Sequence, residues 1–389
     1  MPLQEGRPRV LRARFAWGAM IASEHAFLIP GDRIDRRTTR LGIYGAEGQL
    51  LPECEIRTAA WTNQPLPRAV PQNESPLIFG PALFAGSVDK QFGFVLLNAL
   101  GRLWALEEVP PETLLVFAAK PQARAPGYAV LPAVLRGLGL SHPVLVTEGA
   151  LRFERLYTAA ERFGECHAGT ALPGFYDWID RRWPPAGPPD PDRKIYVTRS
   201  GLGPQAGRYA CESHLEALLA AEGYEIYQPE AHDIAHQVRS FQAAGKLIFA
   251  EGSALHLFAL IRQPGQVSAV IHRRDRLPEV MVAQMADRAG TPTQAINAVR
   301  ALWWPPRRGE HLGLSELDFD VLQEGLRALG LIKGTGWHAP SDAQVAASLA
   351  AGLRPGERVL DAHARADWLK AERAARRKGE GHVQASQGT

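Results

Sequence analysis

Two short runs decide how this chain folds: KIYVTRSG at residues 194–201 and AGKLIFAEGSALH at residues 244–256. Each is an apolar, strand-like run that breaks into small and charged residues. The pattern repeats from Lys194 to Arg274. Lys194–Thr198, Tyr224–Tyr227, Lys246–Ala250 and Gln266–Ile271 are short apolar runs, and the segments between the first three carry apolar residues at helical spacing. Leu215, Leu218 and Leu219 line one helical face; Ile234, Val238 and Phe241 line another. Such alternation predicts parallel strands joined by crossover helices, an open α/β sheet. Sheets of this kind bind ligands outside the carboxyl ends of their strands. Arg199, then Arg208 and Glu212, and finally Glu251-Gly252-Ser253 stand at those ends.

Upstream, residues 9–60 read as short strands with turn signals at Pro30-Gly31 and Glu47-Gly48. A helix over Gln91–Leu106, a strand at Leu114–Ala118, a helix over Tyr128–Leu138 and a strand at Val144–Thr147 form a second, less regular α/β unit. A further helix runs from Pro173 to about Trp183. Pro184–Asp192 (PPAGPPDPD) is the clearest linker, because proline cannot continue a helix and stiffens the connection. Beyond Arg274 the pattern turns helical, near 278–289, 315–329, 341–352 and 358–378, with a frayed end through Thr389. The chain therefore divides into residues 1–188, an acceptor-side α/β domain; 189–290, a ligand-binding α/β domain; and 291–389, a helical extension.

A length of 389 residues favours more than one domain, and 46% hydrophobic with 22% charged residues fits a globular chain. The net charge of +3 is too small to mark a nucleic-acid binder, yet it suits an anionic ligand in a local basic site. Cys54, Cys166 and Cys211 lie far apart and read as reduced thiols, with no zinc pattern. No run approaches the ~20 apolar residues of a membrane span. The apolar run after Arg7, Arg9, Arg12 and Arg14 is too short for a signal peptide, so a cytoplasmic setting is expected.

Arg199 and Arg208 present guanidinium forks that match phosphate oxygens, or else are surface arginines of a loop. Gly201, Gly203 and Gly207 follow a G-x-G-x-x-x-G spacing, one residue off the dinucleotide fingerprint, which argues weakly for NAD. Gly252 and Ser253 open a helix whose exposed N–H groups suit a diphosphate, while Ser253 also fits a plain N-cap. Glu251 suits a sugar hydroxyl or a neighbouring arginine, and His256 sits one turn into the same helix. Asp318-Phe-Asp320 and Asp190-Pro-Asp192 match a metal-holding D-x-D pattern but lie in a helical run and in the linker. Trp303-Trp304 fits buried anchors or a stacking platform, and the basic tail around Arg377 fits a solvated face or weak attraction to a membrane surface.

IYVTRSG from Ile195, then Arg208, Glu212, Gly223-Tyr224, Pro229-Glu230, Gln237 and Gly252-Ser253-Ala254-Leu255 resemble glycosyltransferase family 61. About 80 residues carry the resemblance, which extends weakly to QFGFVLLNALGRLWAL at 91–106 and suggests a bacterial capsular-polysaccharide-type member. It implies two Rossmann-like domains facing across a cleft, the GT-B arrangement, and inverting transfer from a nucleotide diphospho-sugar to a glycan or lipid-linked glycan acceptor. It implies no metal and no other cofactor. By position, Arg199 and Arg208 hold the diphosphate beside Gly252 and Ser253, and Glu212 fixes their loop. Three departures stand out: Cys211 where the family has Asn, Glu251 where many members have His, and Phe94 and Asn98 where its helix offers His and Glu. The last leaves the catalytic base to Asp89, which otherwise reads as an N-cap of the 91–106 helix, or to Glu251. The alternatives are a non-catalytic sugar- or nucleotide-binding partner and an NAD-type oxidoreductase.

Overall fold

The computed structural model describes all residues except 1–10, 14–19, 31–33, 35–37, 55–61, 73, 120–127, 204–205, 289–291, 307 and 387–389. Arg7, Arg9 and Arg14, and the side chains from residue 376 onward, lie outside what is described.

Six short strands come first: β1 (Leu11–Ala13), β2 (Met20–Glu24), β3 (Phe27–Ile29), β4 (Thr38–Thr39), β5 (Gly42–Tyr44) and β6 (Thr62–Asn63). The long β7 (Leu77–Val88) then enters an alternating series: α1 (Phe92–Asn98), β8 (Leu114–Ala119), α2 (Val130–Gly137), β9 (Val144–Thr147), β10 (Leu151–Ala159) and α3 (Phe175–Arg182). β10, β7, β8 and β9 are mutually parallel in that order, and β2 and β3 extend the sheet antiparallel to β10. The expected helix over 91–106 is broken. α1 stops at Asn98, and the chain resumes as a 3₁₀ turn at Leu103–Glu107. Between them the buried Arg102 pairs with Glu161 at 2.8 Å, and a side chain at Gly101 would collide with the Phe163 carbonyl.

The second sheet consists of β11 (Asp190–Val197), β13 (Glu225–Tyr227), β14 (Ala244–Ala250), β15 (Val267–Ile271) and β16 (Gln294–Ile296). It is parallel throughout, in the order β13-β11-β14-β15-β16. The strand order reverses between β11 and β14, the point at which open α/β sheets leave a crevice. α4 (Glu212–Ala221), α5 (Ile234–Ala243), α6 (Ala254–Ile261) and α7 (Glu279–Asp287) flank it. One apolar cluster joins the two sheets through the helices between them, running from Leu83 and Phe117 past Val95, Leu131, Phe241 and Phe258 to Val197 and Phe249. α3 precedes the linker in sequence yet packs on α6. The linker itself is shorter than expected, since Asp190 already pairs with Ala244 at the start of β11.

Residues beyond 291 are not simply helical. β12 (Arg208–Tyr209), β17 (Val299–Trp304), β18 (Leu314–Leu317) and β19 (Leu360–Asp361) form a small sheet in the order β12-β18-β17-β19. α8 (Phe319–Ala328), α9 (Asp342–Ala350) and α10 (Ala362–Ser386) accompany it. Strands were missed here because Trp303-Trp304 and Leu314–Leu317 sit beside helical runs of similar hydrophobicity, which periodicity cannot separate in short segments. α10 continues to Ser386, past the point where fraying was expected. Among the described residues, no helix is long and apolar enough to cross a membrane.

Candidate functional site

At the strand-order reversal lies a cavity of ≈ 430 Å³. The loops after β11 and β14 supply Thr198, Arg199, Gly252 and Ser253. The turn before α5 supplies Pro229, Glu230 and His232, and the opposite wall is Phe92 of α1 with Val130 and Ala133 of α2.

Arg199 is held by its backbone and its side chain. Its N–H donates to Glu212 Oε1 at 2.8 Å, and its Nε and Nη2 donate to the Gly207 carbonyl at 3.2 and 3.1 Å. Its guanidinium lies across Gly252, where a Cβ would collide with Nη1 and stand 3.3 Å from Cδ and Cζ. Glycine at 252 is what lets the strand-end arginine and the α6 N-terminus meet. Glu212 also accepts from Thr198 Oγ1 at 2.9 Å and Tyr196 Oη at 3.2 Å, while its Oε2 is buried with no partner. Burial raises its pKa, against the lowering effect of the Arg199 N–H.

Glu251 is fully buried. Its Oε2 accepts from the N–H groups of Arg273 and Arg274 at 2.8 and 3.2 Å, and its Oε1 pairs with the Arg274 side chain. Its own N–H reaches the Tyr209 hydroxyl at 3.2 Å, which in turn donates to the Ile271 carbonyl at 2.6 Å. This network ties the ends of β14 and β15 together. Burial lowers the Arg273 pKa to about 10, with repulsion from Arg199 next in importance. Arg199, Arg273 and Arg274 thus converge at the strand ends. His311 is held below its ordinary value first by burial and then by Arg273 and Arg274.

Ser253 occupies the N-cap position of α6, but its hydroxyl makes no capping bond. It faces Gly93 of α1, where an added Cβ would lie 3.0 Å from Ser253 Oγ and from His256 Cδ2. His256 is buried, with Nδ1 2.5 Å from Gln284 Oε1 of α7; it packs α1, α6 and α7 together and does not line the cavity. Arg208 also lies apart: its Nη2 donates to the Ser348 and Ala351 carbonyls at the end of α9, at 2.7 and 2.9 Å.

Asp89 stands at the carboxyl end of β7, buried, its Oδ1 accepting from Lys90 N–H at 2.7 Å. The N-cap of α1 is Gln91, so Asp89 is not the helix cap that its position suggests. The helix starts at Phe92, with Gln91 extended as its cap residue. Tyr128 Oη donates to Glu148 Oε1 at 3.4 Å, and its pKa is raised by burial, then by Glu148 and by Asp89. Phe94 and Asn98 are buried within α1, where Asn98 Nδ2 donates to the Phe94 carbonyl at 3.2 Å. Asp318 is the N-cap of α8, accepting from the N–H groups of Asp320 and Val321. Asp190 accepts from Asp192 N–H. Among the described residues, no group of three or more His, Cys, Asp or Glu side chains is arranged to hold a metal ion.

Sequence reasoning passed over Arg273, Arg274, His311 and Gly93. The run His272-Arg273-Arg274-Asp275-Arg276, directly after a predicted strand, carried the signal for the first two. His311 and Gly93 carried none, since only folding brings them to the strand ends.

Arg199 at the strand-order reversal, with Arg273 and Arg274 following β15, belongs to an open parallel α/β sheet, the class of fold that binds ligands outside its strand ends. The family model described as Glycosyltransferase 61 matches residues 60–267, more than half of the chain, and the chain belongs to that family. No curated protein matches it. Membership implies sugar transfer from a sugar donor to a glycan acceptor.

Proposed function

We propose that the protein transfers a sugar from a nucleotide diphospho-sugar to an acceptor hydroxyl with inversion and without a metal. The observation that carries this reading is Arg199 lying across Gly252 at the mouth of the switch-point cavity. The nucleoside enters between Phe92, Val130 and the Pro229–Ile234 turn, and its diphosphate meets Arg199, the Gly252–Ser253 turn and the positive end of α6. Arg273 and Arg274 add positive charge behind it. Glu212 and Glu251 are positioning residues: the first fixes the Arg199 loop, the second the Arg273–Arg274 turn. Arg208 anchors the C-terminal strands to α9, and His256 braces the site from beneath.

In the reaction the acceptor oxygen attacks the anomeric carbon as the bond from that carbon to the diphosphate oxygen breaks. The nucleoside diphosphate leaves with the electron pair, and arginines stabilise the charge that develops on it. The acceptor proton passes to Asp89, the carboxylate at the end of β7 in the facing sheet. The two sheets then act as the halves of a GT-B enzyme, with residues 1–188 on the acceptor side. Surface or capsular polysaccharide synthesis, with peripheral contact at the inner membrane, is the setting this chemistry suits.

Phe94 and Asn98 support a second reading, a non-catalytic nucleotide-sugar-binding partner of a glycan-assembly complex, because neither can serve as a base.

Thermal unfolding with UDP, GDP and NAD, followed by donor hydrolysis in EDTA, tests the proposal. Stabilisation by a nucleoside diphosphate and hydrolysis that survives the chelator are expected. Stabilisation by NAD alone overturns it, and binding without any turnover selects the non-catalytic reading.

A further inference from the structure

We propose that the C-terminal module holds a second cleft that binds an oxyanion carried on the acceptor glycan. The proposal rests on the transferase reading above, since it assigns the cleft to the acceptor of that reaction. A cavity of ≈ 820 Å³ opens between Pro306, Arg308, Gly309 and Leu312, the turn at 354–358 and Trp368 of α10. Arg308, Arg354 and Arg358 line it, and among the described lining residues Glu357 carries the one carboxylate.

That carboxylate is already engaged. It accepts from Arg308 Nη2 at 2.7 Å and from Arg354 N–H at 2.8 Å, and Arg308 Nη2 also donates to the Gly352 carbonyl at 2.9 Å. The turn is built to keep its shape: Pro355 precedes Gly356, which has φ +78°, and Glu357 N–H closes on the Arg354 carbonyl at 2.9 Å. Proline followed by a positive-φ glycine is the sequence of a type II turn. Arg354 and Arg358 are thereby displayed, exposed, on either side of a rigid turn.

A guanidinium fork matches the two oxygens of a carboxylate or phosphate. Trp368, Pro306 and Pro355 add flat apolar faces on which the C–H face of a sugar ring packs. Arginine for the charge and tryptophan for the ring together fit an acidic sugar better than a free ion. Leu312 lines the cleft, and the carbonyl of its neighbour His311 accepts from Arg273 Nη1 at 3.1 Å. The family match ends at residue 267, so this cleft lies outside the matched span.

Calorimetry on the full chain tests the proposal, with hexagalacturonate, phosphorylated oligomannose, maltohexaose and inorganic phosphate as probes. At least one of the two anionic glycans should bind, and which one does identifies the oxyanion as carboxylate or phosphate. In Arg354→Ser/Arg358→Ser that affinity should fall roughly tenfold or more, with nucleoside diphosphate binding unchanged. Trp368→Leu should weaken the anionic glycan while leaving inorganic phosphate unaffected. Maltohexaose binding as tightly as the anionic glycans overturns the proposal, as does inorganic phosphate matching them or the double variant binding them normally. Failure of the wild-type chain to bind nucleoside diphosphates would count against the donor site and leave the glycan comparison intact.

Discussion

Arg199 and Arg208 lie nine residues apart and serve two different regions. Arg199 stays at the strand-order reversal, its guanidinium on Gly252 and its N–H on a buried carboxylate. Arg208 begins β12 and reaches the last carbonyls of α9, in the C-terminal module. The first region is set by parallel strands that must end together, so charges that follow them in sequence converge in space. The second is set by a small sheet assembled from residues more than 150 apart, with a turn that holds its own shape. An arginine next to a strand is therefore not enough to mark an anion site; what the neighbouring strands do around it decides.

The comparison breaks first at the base. Asp89→Asn keeps the side-chain volume and removes the basicity, so transfer should fall roughly 10²–10⁴-fold, with the melting temperature nearly unchanged. Wild-type turnover in this variant would take Asp89 out of the mechanism.

The two arginines provide the direct contrast. Arg199→Ala should weaken nucleoside diphosphate binding by about 2–5 kcal/mol, leaving nucleoside binding little altered. Arg208→Ala should act on stability instead, because it leaves the α9 carbonyls without their donor. Equal losses of diphosphate affinity in calorimetry would mean that both arginines belong to one site.

Glu251→Gln separates positioning from catalysis. Removing one partner of a buried ion pair should destabilise the fold by roughly 3 kcal/mol, read in denaturant unfolding, while residual turnover remains. A variant that is stable yet inactive would make Glu251 a catalytic group.

The smallest effect concerns pH. Burial holds His256 below its ordinary value, so the neutral ring contributes stability that is present above about pH 6.5 and is lost as pH falls through the folded pKa. His256→Gln should flatten the fall in melting temperature between neutral and mildly acidic pH. His142, His272 and His311 are also depressed and remain in the variant, so the difference reports His256 alone. An unchanged slope would mean that the ring takes up protons equally in the folded and unfolded states over that range.

The sequence by itself determined four strands of the second sheet, while the fifth, β16, falls in a stretch whose pattern reads as helical. The sheet's apolar runs are buried on both faces and are separated by helices of regular spacing, so period and order specify strand direction without knowledge of the rest. Arg199 and Gly252 followed because residues that end neighbouring parallel strands must be close. Only the tertiary structure decided the rest. Gly93 reaches Ser253 through helix packing, His311 reaches Arg273 through a strand pairing absent from local pattern, and Glu251 is buried by the arginines that its own strand end gathers. Those contacts depend on which elements pack together, a long-range choice that short-range periodicity does not encode.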